Sequence, residues 1–180
     1  MSAYEAKPLN RQQGRTRALI RQAFLELLFE RDFPAVTMAA VAGRANVGRS
    51  TLYEHFATRD DLFRDCARWP MSGLAELVGA PALPTAFADL LRHFRENRAL
   101  GRALIHLPAY GIMQKVLAEL IEPRLSGTTR LPASLLAAQI AAAQFALLMP
   151  WVLGQAAVAP TDLAEALHRS SNAIANALQA

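Results

Sequence analysis

The stretch Val36–Phe56, VTMAAVAGRANVGRSTLYEHF, decides the fold. Thr37 offers a side-chain oxygen to cap a helix that begins at Met38 and runs to Arg44. Ala45-Asn46-Val47-Gly48 then turns the chain, because Asn46 tolerates a left-handed backbone and Gly48 can cap the next helix, Arg49 to Phe56. Two short helices joined by a tight turn have the spacing of a helix-turn-helix. Val41, Val47 and Leu52 are placed to pack inward, and the small Ala42 lets the two helices cross closely. The outward residues Arg49, Ser50, Thr51, Tyr53 and His55 combine hydrogen-bonding groups with aromatic surface, a chemistry suited to phosphates and base edges. Each also has a duller use: Tyr53 and Phe56 as core aromatics, His55 as a surface histidine, Ser50 and Thr51 as first-turn polar residues.

Upstream, Ile20, Ala23, Phe24, Leu27 and Leu28 recur with the helical period and predict a first amphipathic helix over Arg15–Glu30. Asp32-Phe33-Pro34-Ala35 stops it. Downstream, Thr58 caps a fourth helix with Asp60 and Asp61 in its first turn, expected to run to about Trp69. Pro70, Gly73, Gly79, Pro81 and Pro84 then mark a boundary region. Further helices are expected over about Thr85–Asn97, Ala99–Leu107, Tyr110–Glu122, Pro132–Gln155 and Thr161–Leu178. The fold class is all-α: a three-helix helix-turn-helix domain over residues 1–57, expected to bind DNA, joined by the fourth helix to a second helical domain over 58–180.

The whole chain, 180 residues with 53% apolar and 19% charged, has the composition of a globular protein able to bury a core. Its single cysteine, Cys66, excludes a disulfide framework within the chain and fits a reducing, cytoplasmic setting. The opening MSAYEAKPLN lacks an apolar stretch, so no secretory leader is expected and the mature chain is expected to begin at Met1. The net charge of +4 divides evenly between the halves and locates no partner by itself. Within the first 21 residues, however, Lys7, Arg11, Arg15, Arg17 and Arg21 face only Glu5, a cluster suited to phosphates and equally to a solvated helix end.

From about Thr16 to Cys66 the sequence resembles the TetR family of bacterial transcription regulators. The resemblance is carried by Ile20 and Ala23-Phe24, Phe33, Thr37, Val41-Ala42, Ala45, Val47, Thr51-Leu52-Tyr53, His55-Phe56 and Arg59-Asp60-Asp61-Leu62. Three positions depart from the family's pattern. Asp32 stands where the first helix usually ends in glycine, Asn46 where the turn usually has glycine, and Gly48 where serine or threonine usually caps the recognition helix. Asp and Asn are the non-glycine residues most willing to take positive φ, and glycine caps nearly as well as serine. The resemblance implies that Thr37 touches a phosphate, that Arg49, Ser50, Thr51 and Tyr53 face DNA, and that His55 and Arg59 clamp the flanking backbone. Gly48 would contribute through its backbone amide. On chemistry alone Arg49 is the best reader of guanine, since a guanidinium can bond O6 and N7 together.

The apolar run Pro132–Gly154 is long enough for a membrane span, but Gln139 and Gln144 interrupt it and Pro150 bends its end. It reads instead as a helix buried partly by a second subunit. With Leu163, Leu167, Ser170, Ile174 and Leu178 of the last helix it would form a four-helix homodimer interface, as the resemblance also implies. The partners expected are therefore double-stranded DNA carrying a palindromic operator, a second copy of the chain, and an unidentified small-molecule effector, with no membrane. Phe87, Phe94, His106, Tyr110, Met113, Phe145, Met149 and Trp151 are candidates to line an effector pocket, although such residues at helical spacing also serve as plain core. Arg92, Arg95, Arg98 and Arg102 share a face, read as solvated rather than as a docking site for an anion. No catalytic motif, metal-ligand spacing or cofactor fingerprint occurs, so neither catalysis nor a metal or cofactor is expected. Repression is preferred to activation, because occupying a promoter needs no polymerase contact. The competing classes are a helical adaptor, which leaves the polar face of Arg49 to His55 without a purpose, and an enzyme.

Overall fold

The computed structural model describes residues 11–97, 108–125 and 131–177. Their order is α1 (Arg11–Glu30), a 3-10 turn (Phe33–Ala35), α2 (Met38–Arg44), α3 (Arg49–His55), α4 (Arg59–Ala75), α5 (Phe87–Glu96), α6 (Ala109–Ile121), a second 3-10 turn (Glu122–Arg124), α7 (Ala133–Val152) and α8 (Pro160–Ala177). The described residues contain no strand, so the fold is all-α. The helix expected over Ala99–Leu107 lies outside the described residues. The chain divides into two compact units, Met1–Leu62 and Phe63–Ala180.

In the first unit, α1 contributes Ile20, Phe24, Leu27 and Leu28 to a core that also takes Phe33, Val36, Val41, Leu52 and Phe56. Phe24 and Phe33 meet edge to face with centroids 6.4 Å apart. The caps are those the sequence predicts. The Thr37 hydroxyl accepts from the Ala40 amide at 3.2 Å. Thr58 Oγ1 accepts from the Asp61 amide at 3.0 Å and donates to the Asp61 carboxylate at 2.7 Å, a reciprocal arrangement that ties down the start of α4. Asn46 adopts φ 51°, the left-handed conformation expected of it. Asp32 does not: its φ of −63° and ψ of 150° are extended. The chain leaves α1 directly into the Pro34-containing turn, so no positive φ is needed there.

Helix α4 is longer than the sequence predicts, passing through Pro70 and Gly73 to Ala75. Proline removes one intrahelical donor, but Met71, Leu74 and Ala75 beyond it and Ala67 before it are buried, and their packing holds the continuing turns. Gly73 serves close packing rather than termination. A Cβ there would lie 2.7 Å from Leu90 Cδ2, so α5 approaches α4 at a point only glycine leaves open.

In the second unit, α7 packs against α6 and α8, burying Leu136, Ala137, Ile140, Ala141, Phe145, Leu148 and Trp151. Gly154, at φ 75°, ends the helix: its amide reaches the Trp151 carbonyl at 3.1 Å while the Gln155 amide reaches that of Pro150 at 2.8 Å. By length and composition α7 is the one helix among the described residues able to cross a membrane, and half of its most apolar window is buried within the chain.

Trp69 of α4 stands edge-on to His93 of α5 at 4.8 Å. Asn97 donates its amide nitrogen to the His93 carbonyl at 2.8 Å and to the ring Nδ1 at 3.2 Å, which favours the neutral ring. Burial holds the His93 pKa below the usual 6.5, and nearby Glu96 opposes the shift only in part. The unfolded chain therefore takes up a proton that the folded one resists, and stability falls as pH drops through about 6.5 toward the folded pKa. The urea midpoint should be lower near about pH 5 than near about pH 8, and His93→Gln should shrink that difference. An undiminished difference in the variant would place the proton elsewhere.

Candidate nucleic-acid interface

Helix α3 has only seven residues, Arg49–His55, too few to be stable alone in water. Leu52 and Phe56 fix its orientation, the first fully buried and the second 2% exposed. Val41 and Ala42 of α2 are buried beneath it, whereas Val47 in the turn is only half-buried, less than its apolar character suggests. With Leu52 and Phe56 inward, the helical period turns Arg49, Ser50 and Tyr53 outward, and all three are exposed. Tyr53 is 53% exposed, which removes the core-aromatic reading for it, while Phe56 takes that role. Thr51 and His55 lie half-exposed on the flank. Among the described residues no ion pair engages Arg49. The exposed face also carries Glu54, which the sequence reading passed over. Its position one turn beyond Ser50 was the available signal, and a carboxylate there can accept from a cytosine amino group.

Gly48 caps α3 with an ordinary extended backbone, φ −63° and ψ 148°. A Cβ at this position would meet only Ser50 Oγ and Thr51 Oγ1, at 3.8 and 3.7 Å, so there is room for the hydroxyl residue usual in the family. Thr37 is exposed at the start of α2, where its oxygen accepts from the helix. The hydroxyl also carries a proton that an external acceptor could take.

The cations divide into two groups. Arg44 holds α2 to α1 through Glu30, at 2.8 Å, and Glu26, at 3.5 Å. This pairing keeps the Glu30 pKa below, and that of Arg44 above, its ordinary value. Arg59 is largely engaged inside the unit. Its Nη1 donates to the carbonyls of Phe33 and Pro34, both at 3.1 Å, and of Val36 at 3.4 Å, with the guanidinium 4.2 Å above the Phe33 ring. Its Nε lies buried without a hydrogen bond among the described residues, 3.6 Å from Asp60 Oδ1, and no hydrogen bond among them engages Nη2. Arg17 stacks over Phe56 at 4.6 Å, which sets a basic residue of α1 beside the base of α3. Arg11 and Arg15 are exposed on α1, whereas Lys7 lies outside the described residues.

Of the effector candidates in the second unit, Phe87, Met113, Phe145 and Trp151 are buried, and Phe94, Tyr110 and Met149 are half-buried. Tyr110 and Phe145 meet edge to face at 5.2 Å. Trp151 Nε1 donates to the Val158 carbonyl at 2.9 Å, a structural bond that satisfies its polar end. His106, Arg98 and Arg102 lie outside the described residues; Arg92 pairs with Asp89, and Arg95 is exposed.

Helices α1 to α3 define a helix-turn-helix protein. Residues 20–66 match the bacterial regulatory proteins of the tetR family. An uncharacterized HTH-type transcriptional regulator of Bacillus subtilis, YxbF, is 33% identical over 83 residues, which are 46% of this chain and only 22% of that protein. Among solved structures, a TetR regulator from Streptococcus agalactiae is 23% identical with a TM-score of 0.59, covering 90% of this chain and 96% of its own. The repressor AlkX from Dietzia is 24% identical with a TM-score of 0.53, over 90% of this chain and 96% of its own. At these identities the structures establish a shared fold.

Because Ala42 is 3% exposed between the two short helices, Ala42→Leu should destabilise the first unit by about 1–3 kcal/mol through overpacking. Urea denaturation followed by circular dichroism would measure this; a loss below about 0.5 kcal/mol would show that the crossing tolerates bulk.

Proposed function

We propose that this chain is a transcriptional regulator that binds a palindromic operator as a homodimer and releases it in response to a small-molecule effector, acting as a repressor. The observation that carries the reading is the outward face of α3: Arg49, Ser50 and Tyr53 stand exposed on a helix whose opposite side is locked into the core by Leu52 and Phe56. Arg49 is assigned to a guanine edge, Tyr53 and Thr37 to positioning on phosphates, and Ser50, Thr51, the Gly48 amide, His55 and Arg59 Nη2 to support around them.

Dimerisation is supported by the surface of α7. Leu135, Ala138, Gln139, Ala142, Ala146 and Leu147 recur on one exposed stripe without a charge, Leu135 being 58% exposed. Such a stripe on a helix of this apolarity needs cover. Ala166, Ala173 and Ala177 of α8 are exposed small residues that permit close approach. A two-fold pairing of these helices would present two copies of α3, and half-sites one turn of DNA apart, roughly 34 Å, would then be read together. For the effector, Phe87, Phe94, Tyr110, Met113, Phe145 and Met149 favour an apolar or aromatic molecule. A flavonoid-responsive regulator, FrrA, shares the fold at a TM-score of 0.51, and the name of AlkX associates that protein with n-alkane degradation.

Binding to duplexes from the DNA flanking the coding region, at two salt concentrations, tests the reading. Tyr53→Ala should weaken binding on operator and random duplex alike. Arg49→Ala should in addition relax sequence preference by about 1–3 kcal/mol, and equal losses on both duplexes would count against the guanine assignment. Leu135→Arg with Leu147→Arg should yield a folded monomer in sedimentation that binds the operator poorly. A variant that stayed dimeric would move the interface to another face.

A further inference from the structure

The second unit holds a polar cluster that the core packing does not require. Gln144 of α7 is fully buried, in a helix otherwise lined inside by Leu, Ile, Ala, Phe and Trp. Its Nε2 donates to the Leu74 carbonyl in the last turn of α4 at 3.2 Å and to Ser171 Oγ of α8 at 2.9 Å. Ser171, itself 1% exposed, passes its own proton to the Leu167 carbonyl at 2.6 Å. Gln144 Oε1 is left buried without a partner. At the next residue of α8, Asn172 grips the chain just beyond α4 from both sides: its Nδ2 donates to the Leu77 carbonyl at 2.9 Å and its Oδ1 accepts from the Gly79 amide at 2.8 Å. His168 Nε2 lies 3.0 Å from the Ala80 carbonyl. Gly79, at φ 76°, supplies the left-handed turn that brings these groups to Asn172.

Side chains of α7 and α8 thus hold four backbone groups at and just beyond the end of α4, on Leu74, Leu77, Gly79 and Ala80. Capping needs less, since the last carbonyls of a helix are ordinarily met by a glycine turn or water. Retaining a buried amide with one oxygen unmatched is unfavourable for stability, and a leucine of similar volume would avoid it. The cluster therefore calls for a role other than stability. Helix α4 is one unbroken helix from Arg59, which brackets the Phe33–Val36 carbonyls, to Ala75. We propose that Gln144, Asn172 and His168 form a latch that fixes the end of α4 to the last two helices, and that operator affinity depends on this latch rather than on the apolar packing around it. The proposal rests on the DNA-binding reading and names the positioning residues through which α7 and α8 govern it.

Gln144→Leu and Asn172→Leu, singly and together in the full chain, separate the latch from stability. A third variant, Ile121→Val, trims a fully buried core side chain that makes none of the latch's hydrogen bonds and serves as a control. Gln144→Leu should melt at or above the wild-type temperature because it removes the unmatched oxygen. The double variant should stay helical and dimeric yet bind operator at least about tenfold more weakly, the size of an ordinary coupling between sites. Its backbone amides from Met71 to Gly79 should also exchange faster with deuterium. Ile121→Val should bind within about twofold of wild type. Operator affinity of the double variant matching that control, or faster exchange confined to the Gly79 amide, would overturn the latch. Failure of the wild-type dimer to bind any duplex would fall on the DNA-binding reading instead, and exchange over Met71–Gly79 would still decide whether the latch holds α4.

Discussion

A seven-residue helix cannot hold itself together in water, so α3 exists only because Leu52 and Phe56 are drawn into a core already organised by α1 and α2. That single anchoring fixes both the position and the rotation of the helix. Every residue that reaches outward does so as a consequence, since the helical period leaves Arg49, Ser50 and Tyr53 no other side. The turn before α3 obeys the same constraint. Asn46 bends the chain sharply enough for Val41, Ala42 and Leu52 to come together, and Gly48 caps α3 in an extended backbone.

Much of this was legible in the sequence where local chemistry and tertiary packing agree. Thr37 and Thr58 cap the helices they precede, Asn46 takes the left-handed turn, and the periodic residues of α1 form its buried face. The sequence misleads where packing overrides a local rule. Pro70 and Gly73 read as punctuation, yet Met71, Leu74 and Ala75 keep α4 going and Leu90 fills the space that Gly73 leaves. Asp32 was matched to a left-handed position that the Pro34 turn makes unnecessary. Arg59 illustrates a different loss. Its type and place suggest a phosphate clamp, and nothing in one dimension reveals that the carbonyls of Phe33, Pro34 and Val36 converge on it.

In the second unit the balance reverses, because an apolar effector pocket and an apolar core are made of the same residues. Phe145 packs edge-on against Tyr110 as any core pair would, and Trp151 satisfies its own nitrogen on Val158. What stands out there is polarity. Gln144 in the long apolar run reads as an interruption that argues against a membrane span, but its partners, Leu74 and Ser171, lie 70 and 27 residues away and only the fold brings them to it. Long-range side-chain to backbone bonds of this kind have no sequence period, so they escape any reading based on spacing.

The electrostatics of the first unit bear on why the proposed duplication would matter. The chain's net charge is only +4, and two of the cations nearest α3 are committed within the fold: Arg44 to Glu26 and Glu30, and most of Arg59 to backbone carbonyls. Arg49, Arg11 and Arg15 are the exposed basic side chains of this unit that no ion pair engages among the described residues. Each phosphate neutralised lowers log K by about 0.9 per decade of salt, so a single copy has few contacts to set against physiological ionic strength. Two copies held by one rigid interface double the contacts while the entropy of association with DNA is lost once. An uncharged stripe on α7 and a thinly basic face on α3 would, on this argument, be complementary: the weaker the single site, the more its occupancy would depend on a surface that pairs it with another.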